Sequence, residues 1–390
     1  MKEGSSFVFL YQNQNMAGIY IHIPFCKQAC HYCDFHFSTS LKKKPELVQA
    51  LCRELQLRRE EIQEPVETIY LGGGTPSLLD QRELELLFQT IQTHYKIVTD
   101  PEITLEANPD DLSPDKIRML ATSSINRLSI GIQSFFDADL ELMNRAHNRD
   151  EALKSIEVAK KYFDNISIDL IYGIPGMDLA RWEENLNQAL ALDVPHISSY
   201  ALTVEPRTAL KKMIEKGNVA PVDEELSKVH YERMVEFLEA AGFVNYEFSN
   251  FGRAGYYSKN NTAYWFGKPY LGIGPSAHSF NGKNRQWNVS NNSLYIKAID
   301  KAKLPLQTET LSTTDRYNEL VMTRLRTQWG IDLREVEDDF GPTFLRYLLD
   351  EAEPLLKQGM LLCRDRHLHV TPKGKFLSDG IAAQLFRLEE

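Results

Sequence analysis

The first half of the chain alternates short β-branched runs with longer stretches whose apolar residues recur at helical spacing. In chain order, the strand candidates are residues 18–23, 68–71, 103–107, 127–132, 166–171 and 196–202. Two helix starts between them have readable caps: Asp80 with Glu83 three residues later, and Ser113 before Pro114. Six strand–helix units in succession predict a parallel sheet with right-handed crossovers. Periodicity alone allows either three-quarters of an eight-unit barrel or a doubly wound sheet.

The second half of the chain is less regular until it becomes helical again near the end. A helical stretch at residues 224–241 is followed by a segment rich in glycine, asparagine and aromatic residues. We expect residues 205–305 to extend a barrel of residues 16–204 as a side wall, without a core of their own. Residues 306–390 predict three helices and a hairpin, typical of a winged-helix-like module. Residues 1–15 are expected to be a disordered or non-native arm.

Composition and charge exclude several classes of protein. The chain has 390 residues, of which 43% are hydrophobic and 25% are charged, as in ordinary folded proteins of two or three domains. Its net charge of −10 argues against a protein that coats nucleic acid or an anionic membrane. Residues 331–390 carry eight Lys or Arg against twelve Asp or Glu, so the winged-helix-like module is not expected to bind DNA. No apolar run approaches the ~18 residues of a membrane span, and we expect a cytoplasmic location.

Three cysteines, Cys26, Cys30 and Cys33, lie within eight residues directly after the first predicted strand. Thiolates are the preferred protein ligands of iron–sulfur clusters. Three thiolates can hold three irons of a [4Fe–4S] cubane and leave the fourth iron with open coordination positions. An open iron can chelate the amino and carboxylate groups of S-adenosylmethionine, so that an electron from the cluster can cleave the sulfonium. The spacing therefore predicts a cluster of this kind.

Other uses of these thiols remain open at this point. A zinc site would take His22, His31 or His36 as its fourth ligand, and three structural thiols would take no metal. The chain has five cysteines in total. The other two, Cys52 on the apolar face of a predicted helix and Cys363 after an apolar pair at the predicted hairpin, are expected to be buried packing residues rather than a fourth ligand.

Polar residues or glycines stand at the carboxyl ends of five successive predicted strands, beginning with the second. In order, they are the Gly-Gly-Gly-Thr-Pro run at residues 72–76, Glu106, Gln133, Asp169 and the Tyr-Ala pair at residues 200–201. Parallel α/β folds bind their ligands at this end of the strands. We expect the backbone amides of the glycine run to approach a carboxylate or amino group of a ligand. The arrangement predicts one ligand pocket that faces the cysteine loop.

Several longer segments carry recognisable motifs in a fixed order. They are residues 20–26 (Tyr-Ile-His-Ile-Pro-Phe-Cys), 72–77, 106–109 (Glu-Ala-Asn-Pro), 129–135, 169–176 and 272–279 (Gly-Ile-Gly-Pro-Ser-Ala-His-Ser). Together with the cysteine spacing they resemble the radical SAM family of oxygen-independent coproporphyrinogen III oxidases and, within it, the heme chaperone (HemW) branch. The resemblance runs from about residue 18 to the C-terminus. It implies a partial (β/α)6 barrel with S-adenosylmethionine bound at the carboxyl ends of its strands.

The resemblance also implies a set of cofactor-binding positions and partners. The implied positions are Tyr20, Tyr32, Gly73, Gly74, Thr75, Glu106, Gln133, Arg145, Asp169, Ala201 and His278. The match at His278 is looser, because the oxidases have no histidine there, and Arg145 has an alternative partner in Glu141 one helical turn earlier. The implied partners are a heme or porphyrin ligand, an electron donor such as flavodoxin or ferredoxin, and a client protein that accepts heme.

Two departures separate the chain from the oxidases. The oxidases have a fourth cysteine two residues after the third, where this chain has Phe35, and they have a longer N-terminal arm before the cluster loop. Both differences favour the chaperone branch over decarboxylation of coproporphyrinogen.

One departure separates the chain from the chaperone branch, whose His-Asn-x-x-Tyr-Trp motif is connected with heme. Here Asn260 replaces the histidine, and an amide is a poor axial ligand for heme iron. Tyr264 and Trp265 either stack on a porphyrin or fill the core, and His22 and His278 are substitute ligand candidates.

The sequence therefore predicts a radical SAM protein that binds heme and transfers it to a client. One alternative is an oxidase-type enzyme acting on a porphyrinogen. Another is a zinc- or cluster-binding scaffold without S-adenosylmethionine chemistry.

Overall fold

The centre of the fold is a set of six parallel strands. The computed structural model describes residues 16–388, so the arm predicted at residues 1–15 lies outside the described residues. The six strands are β1 (Ala17–Ile23), β2 (Val66–Gly73), β3 (Ile97–Ala107), β4 (Arg127–Gln133), β5 (Asn165–Tyr172) and β6 (His196–Ala201). All six strands predicted from the sequence are confirmed.

The six strands lie in the sheet in the order of the sequence, each parallel to its neighbours. A doubly wound sheet reverses its strand order at a switch point, whereas the strands of a barrel advance in one direction. The structure therefore has barrel-type winding. The barrel is incomplete, because β1 and β6 each pair on their outer side with a further strand.

Helices connect the barrel strands and pack on their outer face. They are α1 (Lys44–Leu57), α2 (Gln81–His94), α3 (Pro114–Ala121), α4 (Asp137–Leu142), α5 (Arg149–Ala159) and α6 (Leu179–Ala191). Both predicted caps are present, since the side chains of Asp80 and Ser113 accept hydrogen bonds from backbone amides three residues on. Alternate strand residues such as Ile19 and Leu105 are fully buried. The other set of strand side chains, which includes most of the polar ones, faces the inside of the barrel.

The following segment extends the sheet at both edges. Its elements are α7 (Ala209–Glu215), α8 (Glu224–Ala240), β7 (Val244–Glu247), β8 (Asn250–Gly252), α9 (Lys259–Trp265), β9 (Tyr270–Ile273), β10 (His278–Phe280), β11 (Asn284–Asn288), α10 (Asn292–Ile299) and β12 (Leu306–Thr310). Strands β8 and β7 continue the sheet beyond β6, and β9 to β12 continue it beyond β1, which gives twelve strands. Phe251 and Leu271 belong to the same buried cluster as the barrel strands. The extension is therefore built onto the barrel core.

The C-terminal part forms a smaller unit with its own core. Its elements are α11 (Thr313–Leu325), β13 (Ile331–Asp332), α12 (Leu333–Phe340), α13 (Pro342–Lys357), β14 (Leu361–Arg364), β15 (His367–Val370) and α14 (Ser378–Gln384). The three strands form an antiparallel sheet in the order β13-β15-β14. Tyr317, Val336 and Leu348 pack in a separate buried cluster. This is the arrangement of a winged-helix-like module. Across residues 16–388, the helices are too short or too polar to cross a membrane.

The two cysteines outside the loop differ in their surroundings. Cys52 is buried on α1, as predicted. The prediction for Cys363 is wrong, because this residue is exposed. It lies on β14, the edge strand of the small sheet, where only Leu361 is buried against the core.

Candidate cluster and cofactor site

The cysteine loop is tied to the end of β2 by backbone hydrogen bonds. The amide of Gly74 donates to the Ile23 carbonyl at 3.0 Å, and the amide of Thr75 donates to the Phe25 carbonyl at 2.7 Å. A Cβ atom on Gly74 would lie 2.6 Å from the Phe25 carbonyl oxygen. Glycine is therefore required here so that the loop after β1 can approach the backbone at the end of β2.

The amides at the end of the glycine run have partners within the protein, and the ligand contact expected of this run stays a prediction. We expected its amides to approach a ligand, but the amide of Gly73 donates to Oε2 of Glu106 at 3.0 Å. The amides of Gly74 and Thr75 bind carbonyls next to the cysteine loop. All three donors are used within the protein, because the end of β2 holds both the loop and a carboxylate in place.

The three loop thiols, Cys26, Cys30 and Cys33, are half-buried at the carboxyl end of β1. The Nη1 atom of Arg145 lies 3.2 Å from Sγ of Cys30. Burial raises the pKa of Cys33 to about 11 and also raises the pKa of Cys26. Without a metal these two thiols are therefore protonated at neutral pH, and metal binding must release their protons.

The loop geometry bears on which metal group the thiols would hold. Within residues 16–388, no three His, Cys, Asp or Glu side chains converge on a point that would hold one metal ion. A single zinc ion needs such convergence, because each thiolate binds it at ~2.3 Å. A cubane does not, because each thiolate binds a different iron. The loop is compatible with three separate irons.

Arg145 is anchored at the centre of the site rather than paired with Glu141. Its Nη2 atom donates to Oδ1 of Asn108 at 2.6 Å and to the Gly131 carbonyl at 2.9 Å. Its Nε atom is buried and has no hydrogen-bond partner in the described part of the chain. The side chain therefore keeps its Nε donor for a further acceptor beside Cys30.

The end of β4 has an unusual backbone conformation. Gln133 has a φ of 70°, which is uncommon for a non-glycine residue, and the pairing register between β4 and β5 shifts between Gly131 and Gln133. A Cβ atom on Gly131 would lie 2.7 Å from Nε2 of Gln133 and 3.3 Å from Nη2 of Arg145. Gly131, which was not among the predicted site residues, thus makes room for two of them.

Two predicted carboxylates, Glu106 and Asp169, face the inside of the barrel. Glu106 accepts hydrogen bonds from the Tyr70 hydroxyl at 2.8 Å and from the Gly73 amide, and Asp169 accepts one from Ser129 at 3.2 Å. Neither forms an ion pair within residues 16–388. Burial raises the pKa of Glu106 to about 7 and also raises the pKa of Asp169. Burial therefore favours the neutral form of both carboxylates in the ligand-free protein, and a cationic ligand would favour their charged form.

Arg127 is a buried charge that the sequence analysis missed. It begins β4, is only 2% exposed, and forms no ion pair within the described residues, where its buried Nε atom also has no hydrogen-bond partner. Its charge lowers the pKa of Glu106 and of Asp169, against the larger effect of burial. The sequence could have indicated this buried charge, because a charged residue at the start of a mostly apolar parallel strand is unusual.

The other predicted positions lie around the same end of the barrel. The Tyr20 hydroxyl is hydrogen-bonded to Nδ1 of His22 at 3.1 Å. Tyr32 is hydrogen-bonded to Arg145, and Ala201 is the last residue of β6. The structure thus brings these side chains to the end of the barrel that holds the cysteine loop.

The two substitute histidines differ in accessibility. His22 is 5% exposed, and its ring nitrogens are hydrogen-bonded to the Tyr20 hydroxyl and the His36 carbonyl. His278 is exposed at the start of β10, and its ring stacks on Trp287 with centroids 5.9 Å apart. Only the second of these two imidazoles is accessible to a ligand.

The predicted porphyrin motif lies at the other end of the barrel. Oδ1 of Asn260 accepts a hydrogen bond from Thr68 at 3.2 Å, and its amide donates to Glu102 at 3.0 Å. Since Thr68 lies near the amino end of β2, Asn260 is roughly 17 Å from the carboxyl ends of the strands. Tyr264 is 53% exposed, whereas Trp265 lies beneath the guanidinium of Arg326.

Family models match two parts of the chain. The radical SAM superfamily matches residues 20–189, which include the cysteine loop and most of the barrel but not β6. The HemN C-terminal domain matches residues 311–377, which lie in the winged-helix-like module.

Known relatives and a solved structure extend the match to nearly the whole chain. The chain is 34% identical to the heme chaperone HemW of Bacillus subtilis, over 94% of this chain and 98% of that protein. It is 34% identical to HemW of Lactococcus lactis, over 95% and 97%. The structure of coproporphyrinogen III oxidase (HemN) from Escherichia coli covers 98% of this chain and 93% of its own, with a TM-score of 0.83 at 22% identity, and so shares the fold. The chain therefore belongs to the radical SAM superfamily and, within it, to the HemW family.

Proposed function

We propose that this chain holds a [4Fe–4S] cluster on Cys26, Cys30 and Cys33, binds S-adenosylmethionine beside it, and binds heme for transfer to a client protein. One observation carries the first part of this proposal. Three half-buried thiols stand at the carboxyl end of the barrel, on the same side as buried carboxylates that have no ion-pair partner within residues 16–388.

The charges of the site match those of S-adenosylmethionine. Its sulfonium is cationic, its amino group gives up a proton when it binds the open iron, and Glu106 and Asp169 supply negative charge inside the barrel. Its carboxylate would accept from the free Nε donor of Arg145, which Asn108 and Gly131 hold in place. When bound, the cluster supplies the electron that cleaves the sulfonium. Further contacts are assigned to Tyr20, Tyr32, Gly73, Gly74, Thr75, Gln133 and Ala201.

The heme part of the proposal is supported by the near full-length match to two proteins named heme chaperones. An electron donor such as flavodoxin or ferredoxin and a heme-accepting client belong to the same proposal. Phe35, at the position of the oxidases' fourth cysteine, is 69% exposed beside the loop. Phenylalanine has no donor atom, so this side chain cannot coordinate metal.

The oxidase alternative gains no support from individual residues. The structural similarity between this chain and the oxidase HemN shows a shared fold only. At the position of the oxidases' fourth cysteine, Phe35 supplies no thiol. A consumption assay with coproporphyrinogen III distinguishes the two functions, since the proposal expects no turnover above that of the Cys33→Ser variant.

Metal analysis and electron paramagnetic resonance test the cluster. Anaerobic reconstitution should give about four irons and four sulfides per chain, and S-adenosylmethionine should change the spectrum of the reduced cluster. Replacing Cys26, Cys30 or Cys33 with serine should abolish iron binding, whereas Cys52→Ser should leave it intact because that thiol is buried on α1. Zinc bound in place of iron, or a spectrum unchanged by saturating S-adenosylmethionine, would refute the proposal.

A further inference from the structure

The sheet beyond β1 carries a row of aromatic rings on its inner face. His278 pairs directly with Trp287, and Phe280 pairs directly with Tyr270. Residues that pair directly across antiparallel strands point to the same face. Ser279, between His278 and Phe280, points to the opposite face, where it binds Arg58 of α1.

This face is extended by a ring from α9. The Tyr264 ring lies 5.1 Å from the Tyr270 ring, and their hydroxyls are 3.3 Å apart. We name Tyr264, Tyr270, Phe280 and Trp287 the aromatic wall. It crosses three strands, β9 to β11, and is therefore roughly 10 Å wide. A flat aromatic ligand can make edge-to-face contacts with a surface of this kind.

His278 stands at the end of the wall nearest the cysteine loop. Strand β9 runs parallel to β1, with Ile273 beside Ile21, and the turn from β9 to β10 ends at His278. A Cβ atom on Gly274 in that turn would lie 2.7 Å from the His22 carbonyl oxygen, so the turn packs against the end of β1. His278 is therefore at the same end of the barrel as the loop thiols.

The ring nitrogens of His278 form no hydrogen bond within the described residues, in contrast to its neighbours at this end. His31 uses Nδ1 to bind the Leu142 carbonyl, and His36 uses Nε2 to bind Asn292. Burial and the charge of Arg285 lower the pKa of His278, which keeps the imidazole in the neutral form that binds iron at neutral pH.

We infer that His278 is the axial ligand of heme iron in this chain and that the porphyrin lies against the aromatic wall. The inference rests on the proposed function, from which it takes heme as the ligand. Asn260 is then not needed to coordinate the iron. Its amide is a weaker iron ligand than imidazole, and it lies at the other end of the barrel. Imidazole is a common protein ligand of heme iron.

Hemin titration of the full chain, followed by absorption spectroscopy, tests the inference. The natural protein should form a saturable complex with the spectrum of imidazole-ligated heme. In His278→Ala the affinity should fall at least roughly tenfold and the spectrum should change, and added imidazole should restore the spectrum. His94→Ala is the matched control, because His94 ends α2 on the outside of the barrel, and its titration should equal that of the natural protein.

The outcomes separate the inference from the proposed function. If the natural protein binds hemin no better than an unrelated control protein does, the heme part of the proposed function is wrong. If the natural protein binds hemin but His278→Ala has the same spectrum and affinity, only the inference fails. A folded His278→Ala variant whose lost spectrum is not restored by imidazole also overturns it, because a structural role would then explain the loss.

Discussion

The contact between Gly74 and the cysteine loop makes a quantitative prediction. In Gly74→Ala, the new Cβ would lie 2.6 Å from the Phe25 carbonyl oxygen, 2.7 Å from the Ile23 carbonyl oxygen and 2.8 Å from the Phe25 amide nitrogen. Normal contact requires about 3.5 Å, so the two backbones must separate by roughly 0.9 Å. No side-chain rotation relieves the clash, because all three atoms belong to the backbone.

The expected cost combines two effects. Overpacking of this kind costs about 1–3 kcal/mol, and weakening the two hydrogen bonds that tie the loop to β2 costs about 1 kcal/mol each. We therefore expect the free energy of unfolding to fall by roughly 3–5 kcal/mol, and the iron content after reconstitution to fall with it. Denaturant unfolding of the metal-free protein and iron analysis measure the two quantities.

A matched control separates this contact from a general effect of alanine. Gly380 lies inside α14, and a Cβ atom there would meet no other atom within 4 Å. Gly380→Ala should therefore be neutral or stabilise the protein by up to about 1 kcal/mol. If Gly74→Ala unfolds within about 0.5 kcal/mol of the natural protein and retains full iron content, the described packing of the loop is incorrect.

Three further predictions concern charges. Burial raises the pKa of Glu106 from 4.5 to about 7, so between these pH values the folded metal-free protein keeps a proton that the unfolded chain releases. The free energy of unfolding should therefore fall as the pH rises through this range. Denaturant titrations of Glu106→Gln should show that the variant lacks up to about 3 kcal/mol of that fall. Arg145→Lys should weaken S-adenosylmethionine binding by roughly tenfold or more, measured calorimetrically on the reconstituted protein, because lysine lacks the free Nε donor; unchanged affinity would contradict the assignment. Glu54→Ala should cost about 3–5 kcal/mol because it leaves the charge of buried Arg58 with less compensation, whereas Asp115→Ala, in an exposed pair, should cost less than about 0.5 kcal/mol.

The barrel was predictable because its strands are buried and its helices are capped by local sequence. Buried parallel strands appear in the sequence as β-branched runs. The start of a helix is indicated by a capping pattern within one turn, as at Asp80 and Glu83. Strand β3 is longer than predicted because Asp100 and Pro101 interrupt the apolar pattern within it. The short strands β7 to β12 were not predicted, because three to five residues carry little periodicity and are held by pairing with distant segments.

The residue types of the candidate site were predictable to a similar degree, but their partners were not. Parallel topology places the ends of successive strands together, so Glu106 and Asp169 could be assigned to one pocket without coordinates. The hydrogen bond from Gly73 to Glu106 depends on the conformation of two strand ends, which local sequence does not specify. Arg127 was missed for the same reason, since its direction into the barrel depends on the register of β4 with its neighbours.

Under the proposed function, the arrangement of charges would link the binding of the cluster to the binding of S-adenosylmethionine. Without ligands, the pocket holds Glu106 and Asp169 with raised pKa values, and burial also raises the pKa of Cys26 and Cys33. Iron would lower the cost of ionising the thiols, and the sulfonium of S-adenosylmethionine would lower the cost of ionising the carboxylates. Arg145 would connect the two groups, because its guanidinium contacts Cys30 and its unpartnered Nε atom is the donor proposed for the cofactor. Since binding free energies at coupled sites are reciprocal, any factor by which the cluster raises the affinity for S-adenosylmethionine is also the factor by which S-adenosylmethionine raises the affinity for the cluster.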